Sequence, residues 1–521
     1  MKKILFSLIL CGIIAASVFP GGAGQSSKPA SASTTVNVNA TGFPIVNTPI
    51  TLKILGSKNA MHGEWDKMLL FTEYEKRTNI HLDIETAPQT SFAEKLNLVF
   101  ASNDLPDMLV RCGISNSNAL KWAATGSLVP LEGLINQYGY NLKNLFAQYP
   151  DVEKSITTPE KHIYTLPTVV LDKSALTVKY WINKNFMGKV NAGVPQTTDE
   201  FYQYLQKIRD TDVRGNGKMD AIPFSAMDAT TMIRIVGGSW GLDRQFGYNI
   251  NLDNNKVNIW NTNDMFKEEL MFLNKLYTEK LIDPDVFTND TARHNTKRQE
   301  GMFGIFLEQT INDSDGAIYQ GMAPLKGPHG DRMQFLNPMA RDPGAFEITN
   351  KNKYPEASIR WVDYFYGDEG AYFMRYGVEG QTCVKKPDGT YEYTDALLKD
   401  PRGLSTAIGQ FTIWPGANAP HIITSSNSTA VTAPCVREAE KLIDPYLPKY
   451  SYSAPMFSEA DATRADELLF DINKYFDEST AKFIVGDWGF DKWNEYKTTM
   501  EKMGLLQLQD LYQKAYDTIY R

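Results

Sequence analysis

The sequence predicts an α/β fold arranged as two lobes, and three observations carry that reading. From residue 50 onward, short apolar runs alternate with helical patterns. The chain has 521 residues, which suits two lobes better than one very large sheet. An extended stretch, TLPTVVLDKSALTVKYW (165–181), has almost no turn residues and is placed to run between lobes as a hinge strand.

The N-terminus reads as a signal for export. Lys2 and Lys3 precede an apolar run, Ile4 to Phe19, that is too short for a comfortable membrane span. Pro20 ends it and small residues follow through Gly24, so residues 1–24 are expected to be a signal peptide. Cys11 follows Leu10 too early in the run for a convincing lipobox cysteine, and the mature protein is expected to be extracellular or associated with the cell envelope. Residues 25–49 are rich in Ser, Ala, Thr and Asn with almost no charge, the composition of a flexible linker.

The fold is expected to begin near residue 50. ITLKILG (50–56), HLDIETA (81–87) and DMLVR (107–111) read as strands, with helices over 66–78 and 92–100 between them. That βαβαβ rhythm predicts a parallel or mixed sheet covered by helices. Further strands are expected at 176–182, 256–260 and 303–307, and helices at 198–209, 264–279, 355–366 and 461–484. The helix at 198 is read as capped by Thr198, ahead of Asp199 and Glu200. The C-terminus, 492–520, reads as an amphipathic helical pair broken at Gly504. Phe201, Tyr202, Leu205 and Ile208 fall on one helical stripe and are assigned to core, as are Trp361 and Trp493.

Composition narrows the function. The formal net charge is −8 and would fall to about −10 once Lys2 and Lys3 leave with the signal peptide. No basic stripe stands out, which argues against nucleic acid as a partner. Aromatic residues make up 12% of the chain. Most are core, but receptors for ring-shaped ligands also use them. Cys112, Cys383 and Cys435 are far apart with no CxxC spacing, and the six His show no zinc pattern. Gly237-Gly238-Ser239-Trp240-Gly241 matches the G-x-S-x-G nucleophile elbow, but Gly and Asn follow within a few residues where a helix is required. Asp368 and Glu369 are adjacent acids at a helix end, a placement that faces solvent more often than it serves a glycosidase.

Several segments, in order along the chain, resemble one family. SNDLPDML (102–109), HIYTLP (162–167), YWINKNF followed by VPQTTDEFYQYLQKI, IRWVDYFYGDEG (359–370), GVEG (377–380) and the tail from DKWNEY to Asp517 are similar to extracellular solute-binding proteins of ABC importers. They match the large subgroup that takes up oligosaccharides, including alginate-binding proteins. The resemblance implies a two-lobe, periplasmic-binding-protein-like clamp with discontinuous lobes. Lobe 1 is expected over 50–168 and 345–425, and lobe 2 over 169–344 and 426–521. It implies a monomer without chemistry of its own, which captures a carbohydrate in the cleft for ABC permease subunits in the membrane. The alternative from the residues is a secreted glycan-active enzyme or a carbohydrate-binding surface protein.

Two sets of residues are candidates for the site. The loop DVRGNGKMD (212–220) resembles an EF-hand-like calcium loop, in which Ca2+ takes about six to eight oxygens. Asp212, Asn216, the Lys218 carbonyl and Asp220 are its candidate metal ligands, with Gly217 at the turn. Arg214 and Ala221 stand where relatives of this family carry Asn and Glu, and both changes remove oxygens. A plain turn with Arg214 paired to Asp212 or Asp220 is therefore the rival reading. For sugar, ligands of α/β lobes gather at the carboxyl ends of strands. Arg111 ends the strand 107–111 and is a candidate polar contact. Asp172, on the interlobe stretch, is a candidate acceptor of hydroxyls. Trp240 and Trp414, each in a glycine-containing turn, are candidate stacking platforms. Trp181 is a further candidate whose face the alternation leaves open.

Overall fold

Alternation in the first strand sets the first sheet. In β1 (Ile50–Lys58), Ile50, Leu52 and Ile54 are buried and Thr51 and Lys53 exposed. β1 lies parallel to β2 (Ile80–Pro88), from Ile50 opposite Ile80 to Lys58 opposite Pro88, and parallel to β3 (Met108–Val110). The structure, a computed structural model, describes residues 37–242, 250–448 and 453–521. The expected signal peptide and the linker up to residue 36 lie outside the described residues. The rest of the expected linker is not a free spacer. Ile45 and Val46 are fully buried, and their N–H groups donate to the Thr78 carbonyl. The apolar run FPIV inside the Ser/Thr-rich stretch supplies the burial.

The remaining strands, in chain order, are β4 (Leu166–Val170), β5 (Lys179–Asn183), β6 (Ile222–Ala226), the hairpin of β7 (Ile250–Asp253) and β8 (Lys256–Ile259), β9 (Phe303–Glu308), β10 (Tyr319–Met322), β11 (Ala340–Ile348), the hairpin of β12 (Cys383–Lys385) and β13 (Tyr391–Tyr393), and β14 (Ile422–Ile423). They form a six-stranded sheet, ordered β14-β4-β11-β3-β1-β2, and a four-stranded sheet, ordered β10-β5-β9-β6. Both are mixed. β11 runs antiparallel between β3 and β4, and β5 runs antiparallel to both of its neighbours, while β6 and β9 are parallel.

The chain crosses between the sheets after β4, after β10 and after β14. The first crossing differs from the expected continuous hinge strand. Asp172 accepts from the Ser174 N–H and caps a short helix, Lys173–Leu176, that separates β4 from β5. The expected strand is therefore two strands of different sheets joined by a capped turn. Here Lys179 is fully buried, and its Nζ donates to the carbonyls of Ser174, Thr177 and Gln309 at 2.8–2.9 Å. Burial pulls its pKa down to about 7.

The expected helices form with small boundary shifts. Thr198–Arg209 is capped by Thr197, one residue earlier than expected: its hydroxyl accepts from the Glu200 N–H, while the Glu200 carboxylate accepts from the Gln196 N–H. Phe201, Tyr204, Leu205 and Ile208 are buried against the four-stranded sheet, whereas Tyr202, expected on the same stripe, is only half-buried. The helices Asp264–Thr278, Glu459–Val485, Trp493–Lys502 and Leu505–Tyr520 complete that core, and Gly504, at φ 98°, makes the break between the last two. The opposite face of the same sheet is covered by Pro434–Ile443, whose Val436 and Ala439 join Trp181, Phe306 and Tyr319 in a second cluster.

Candidate functional site

Between the two sheets, beside the first and third crossings, lies a cavity of about 980 Å3. One wall comes from the six-stranded side: Ile423 of β14, Arg375 near the end of the helix Asp368–Tyr376, Trp414, and the β12–β13 hairpin with Lys386, Tyr391 and Glu392. Arg298 and the segment Thr310–Asp313, just past β9, form the other. The floor is the crossing chain itself, with Asp172, Ser174 and Ala175 from the first crossing and Ser428, Thr432, Pro434, Arg437 and Glu438 among the residues from the third. Volume and mixed lining fit an oligosaccharide-sized ligand.

A buried ion pair ties the floor together. Asp172 is fully buried; Arg437 Nη1 and Nη2 donate to its two oxygens at 2.6 and 3.0 Å. Ser174 and Ser428 hydroxyls donate to the same carboxylate. Burial raises the Asp172 pKa, and the donors from Arg437 and Ser428 outweigh it, holding the carboxyl below the usual range. Asp172 thus joins the first crossing to the third.

The candidate sugar contacts divide sharply. Asp172 and Trp414 line the cavity; Arg111, Trp181 and Trp240 do not. Arg111 is 1% exposed, sits just past β3 at φ 60°, and donates to the carbonyls of Ser57 at 2.8 Å and Pro415 at 3.1 Å. It braces the loop that carries Trp414. Trp181 is fully buried, with Nε1 donating to the Glu308 carbonyl, because it points to the sheet face covered by Pro434–Ile443. Trp240 is 4% exposed in the main core, 5.4 Å from the Phe272 ring centroid. Three arginines of the cavity, Arg298, Arg375 and Arg437, were not among the candidates. Arg375 lies just before the GVEG motif, the one sequence cue to any of them.

A family model described as bacterial extracellular solute-binding protein matches residues 61–372. The chain belongs to that family. This solute-binding protein is 27% identical over 513 residues to the fructooligosaccharide ABC transporter substrate-binding protein FusA of Streptococcus pneumoniae serotype 4 (strain ATCC BAA-334 / TIGR4), a match covering 94% of each chain. The solved S. pneumoniae FusA complex with kestose superimposes with a TM-score of 0.75 at 25% identity, covering 90% of this chain and 99% of that one. An alginate-binding protein solved without calcium ion gives a TM-score of 0.73 at 24% identity, covering 90% and 98%. The fold is thus the two-lobe clamp of these proteins.

In this solute-binding protein the side-chain oxygens of the 212–220 loop are largely engaged within the loop itself. Both Asp212 oxygens accept backbone N–H groups, from Gly215, Asn216 and Gly217. Those donors, Gly217 foremost, hold the Asp212 carboxyl below its usual range. Asp220 Oδ2 accepts from Arg214 at 3.1 Å and from Asn216 at 3.0 Å, which leaves only Asp220 Oδ1 buried without a partner. Asn216 Oδ1 accepts from the Lys218 N–H. Among the described residues no cluster of three or more His, Cys, Asp or Glu could hold a metal. The elbow motif lacks its context too. Ser239 follows a helix, Ala229–Val236, rather than a strand, is 2% exposed, and donates to the Leu325 carbonyl. Asp368 and Glu369 open a helix, and Glu369 lies 3.6 Å from Arg77 at the surface. Among the described residues no helix is long and apolar enough to cross a membrane.

Proposed function

We propose that this chain captures an oligosaccharide in the cleft between its two sheets and delivers it to the permease subunits of an ABC importer, outside the cytoplasmic membrane. The observation that carries the reading is the cavity of about 980 Å3 that Trp414, paired polar side chains and the crossing segments enclose. A ligand touching both walls binds the closed clamp better than the open one, and that differential affinity drives closure. The capture of fructooligosaccharides by FusA supports the sugar class. The protein acts as a monomer, without a nucleic-acid partner and without turnover, and its lobes divide at the crossings after β4, between β10 and β11, and after β14, so the second boundary falls before residue 340 rather than at 344.

Titration calorimetry against a panel of neutral and acidic oligosaccharides, with chromatography of the recovered sugar, tests the reading. Saturable binding with sugar recovered intact is expected. Cleaved product would favour the secreted glycan-active enzyme instead, and no binding across the panel would remove the carbohydrate class altogether.

For the 212–220 loop, the Arg214 guanidinium supplies the positive charge that an ion would bring, so calcium is dispensable. The melting temperature is expected to be the same in chelator and in millimolar calcium. A calcium-dependent rise would mean that Arg214 gives way to the ion and that Asp212, Asn216, Lys218 and Asp220 ligate it.

A further inference from the structure

Four cations line the cavity, and three of them are already matched by carboxylates. Arg298 Nε lies 3.0 Å from Asp315, Lys386 Nζ lies 3.0 Å from Glu392, and Arg437 is held by Asp172. Arg375 is the exception. It is 4% exposed, and among the described residues no carboxylate lies within ion-pair distance of it. Its side-chain hydrogen bond, to the Asn427 carbonyl at 2.9 Å, leaves from Nε. The guanidinium carbon sits over the Trp414 ring, 4.5 Å from its centroid.

A buried cation without a counter-charge is costly. Burial pulls the Arg375 pKa below the ordinary guanidinium range, and Asp172, the acid that acts on it, already answers Arg437 and Ser428. A planar guanidinium matches a carboxylate through two parallel N–H···O bonds, and a ligand that brings one removes the charge imbalance. The rest of the cavity gives such a ligand one orientation. Asp313 on the facing wall and Glu438 on the floor repel a carboxylate, while Thr310 and Asn312 offer neutral partners to hydroxyls.

We propose that the cleft is specific for a carboxylate-bearing oligosaccharide and that Arg375, stacked on Trp414, receives the carboxylate of a uronate unit. This rests on the carbohydrate reading above. The test is a set of matched pairs: tri- and tetrasaccharides of galacturonate, mannuronate, guluronate and glucuronate, each beside its carboxyl-reduced twin, titrated by calorimetry. The wild-type protein is expected to bind at least one uronate ten-fold or more tightly than its neutral twin. Arg375→Gln is expected to abolish that preference, the uronate losing ten-fold or more in affinity beyond any loss its neutral twin shows, and Arg375→Lys to restore it only in part. The wild-type comparison needs no variant, so a folding failure in Arg375→Gln leaves the test standing. Neutral sugars bound as well as or better than uronates would overturn this inference alone, as would a preference that survives Arg375→Gln. Failure of every sugar to bind would overturn the carbohydrate reading and this inference together.

Discussion

Trp240 and Trp414 look alike in sequence, each an indole beside glycine in a short turn, yet one is core and the other faces the cleft. A side chain added at Gly238 would place its Cβ 2.2 Å from the Met333 carbonyl oxygen, so Gly238 admits a neighbouring stretch of backbone. The ring turns inward onto Phe272. After Trp414 the glycine serves bending: Gly416, Ala417 and Asn418 all have positive φ, at 89°, 71° and 59°. Ala417 pays a steric cost there that the surroundings must hold in place. They do so through Pro415, whose carbonyl accepts from His62 at 2.8 Å and Arg111 at 3.1 Å, and through Asp342, which accepts from the Asn418 N–H. Both turns combine a close approach with a bend, since Gly241 also has a positive φ of 69° and a Cβ at Gly416 would lie 2.5 Å from the Asn59 amide, so glycine near tryptophan does not by itself say which way the ring turns.

The largest expected effect breaks the pair apart. Trp240→Ala should cost about 3–5 kcal/mol, the usual range for emptying a large aromatic site in a core. It should leave the affinity of the folded fraction within about three-fold. Trp414→Ala should do the reverse, with less than half of that stability loss and an affinity drop of about ten-fold or more for the best sugar. Thermal melts and titrations on both variants decide the matter. An affinity loss confined to Trp240→Ala would put the platform in the wrong lobe.

A second experiment asks whether the bend is held from behind. Arg111→Met removes a donor from Ser57 and one of the two donors from Pro415 and should cost about 1–3 kcal/mol, the range for a buried carbonyl deprived of a partner. Sugar affinity should fall several-fold with it, although Arg111 does not line the cavity. Affinity unchanged in a destabilised Arg111→Met would show that the strained loop keeps its shape unaided.

These contrasts also say how much was readable in advance. The early βαβαβ order, the helix 198–209 and the break at Gly504 were legible because one face of each element is buried and the other is wet. β4, buried at every position, shows no alternation and was read only as part of one continuous hinge strand, and β11, which carries Pro343 and Gly344 inside a register shift, was not read as a strand. For the candidate site, Trp414 and Asp172 were singled out from their settings and both line the cavity, but the partner of Asp172 was not foreseen. Arg437 lies 265 residues away and meets it only because two crossings run side by side. Trp181 illustrates the remaining limit. In a sheet covered on both faces, alternation separates Trp181 from Tyr180 and Ile182 without saying which layer covers which face.

The smallest expected effect comes from acid, and it too falls unevenly on the two regions. His62 accepts from Trp65 and from the Asn59 N–H at Nδ1, so its Nε2–H donates to Pro415, which is the neutral form. Burial, then Arg111 and Lys58, lower its pKa to about 4. His421, just past the same loop, is lowered to about 3 by burial and then by Arg375 and Arg111. His294, on the four-stranded side, is lowered to about 4 by burial first. In each case the unfolded chain takes up a proton near the ordinary histidine value of 6.5 while the folded chain does not. Stability is therefore full above that value and is lost as pH falls from it toward about 4. Between pH 7 and 5.5 each should cost about 1 kcal/mol. His294→Gln should remove its share of the slope without touching sugar binding. His62→Gln should remove a similar share and also weaken binding at pH 7, because one of the two donors on Pro415 goes with it. Equal binding by the two variants would detach the Trp414 loop from the histidine behind it.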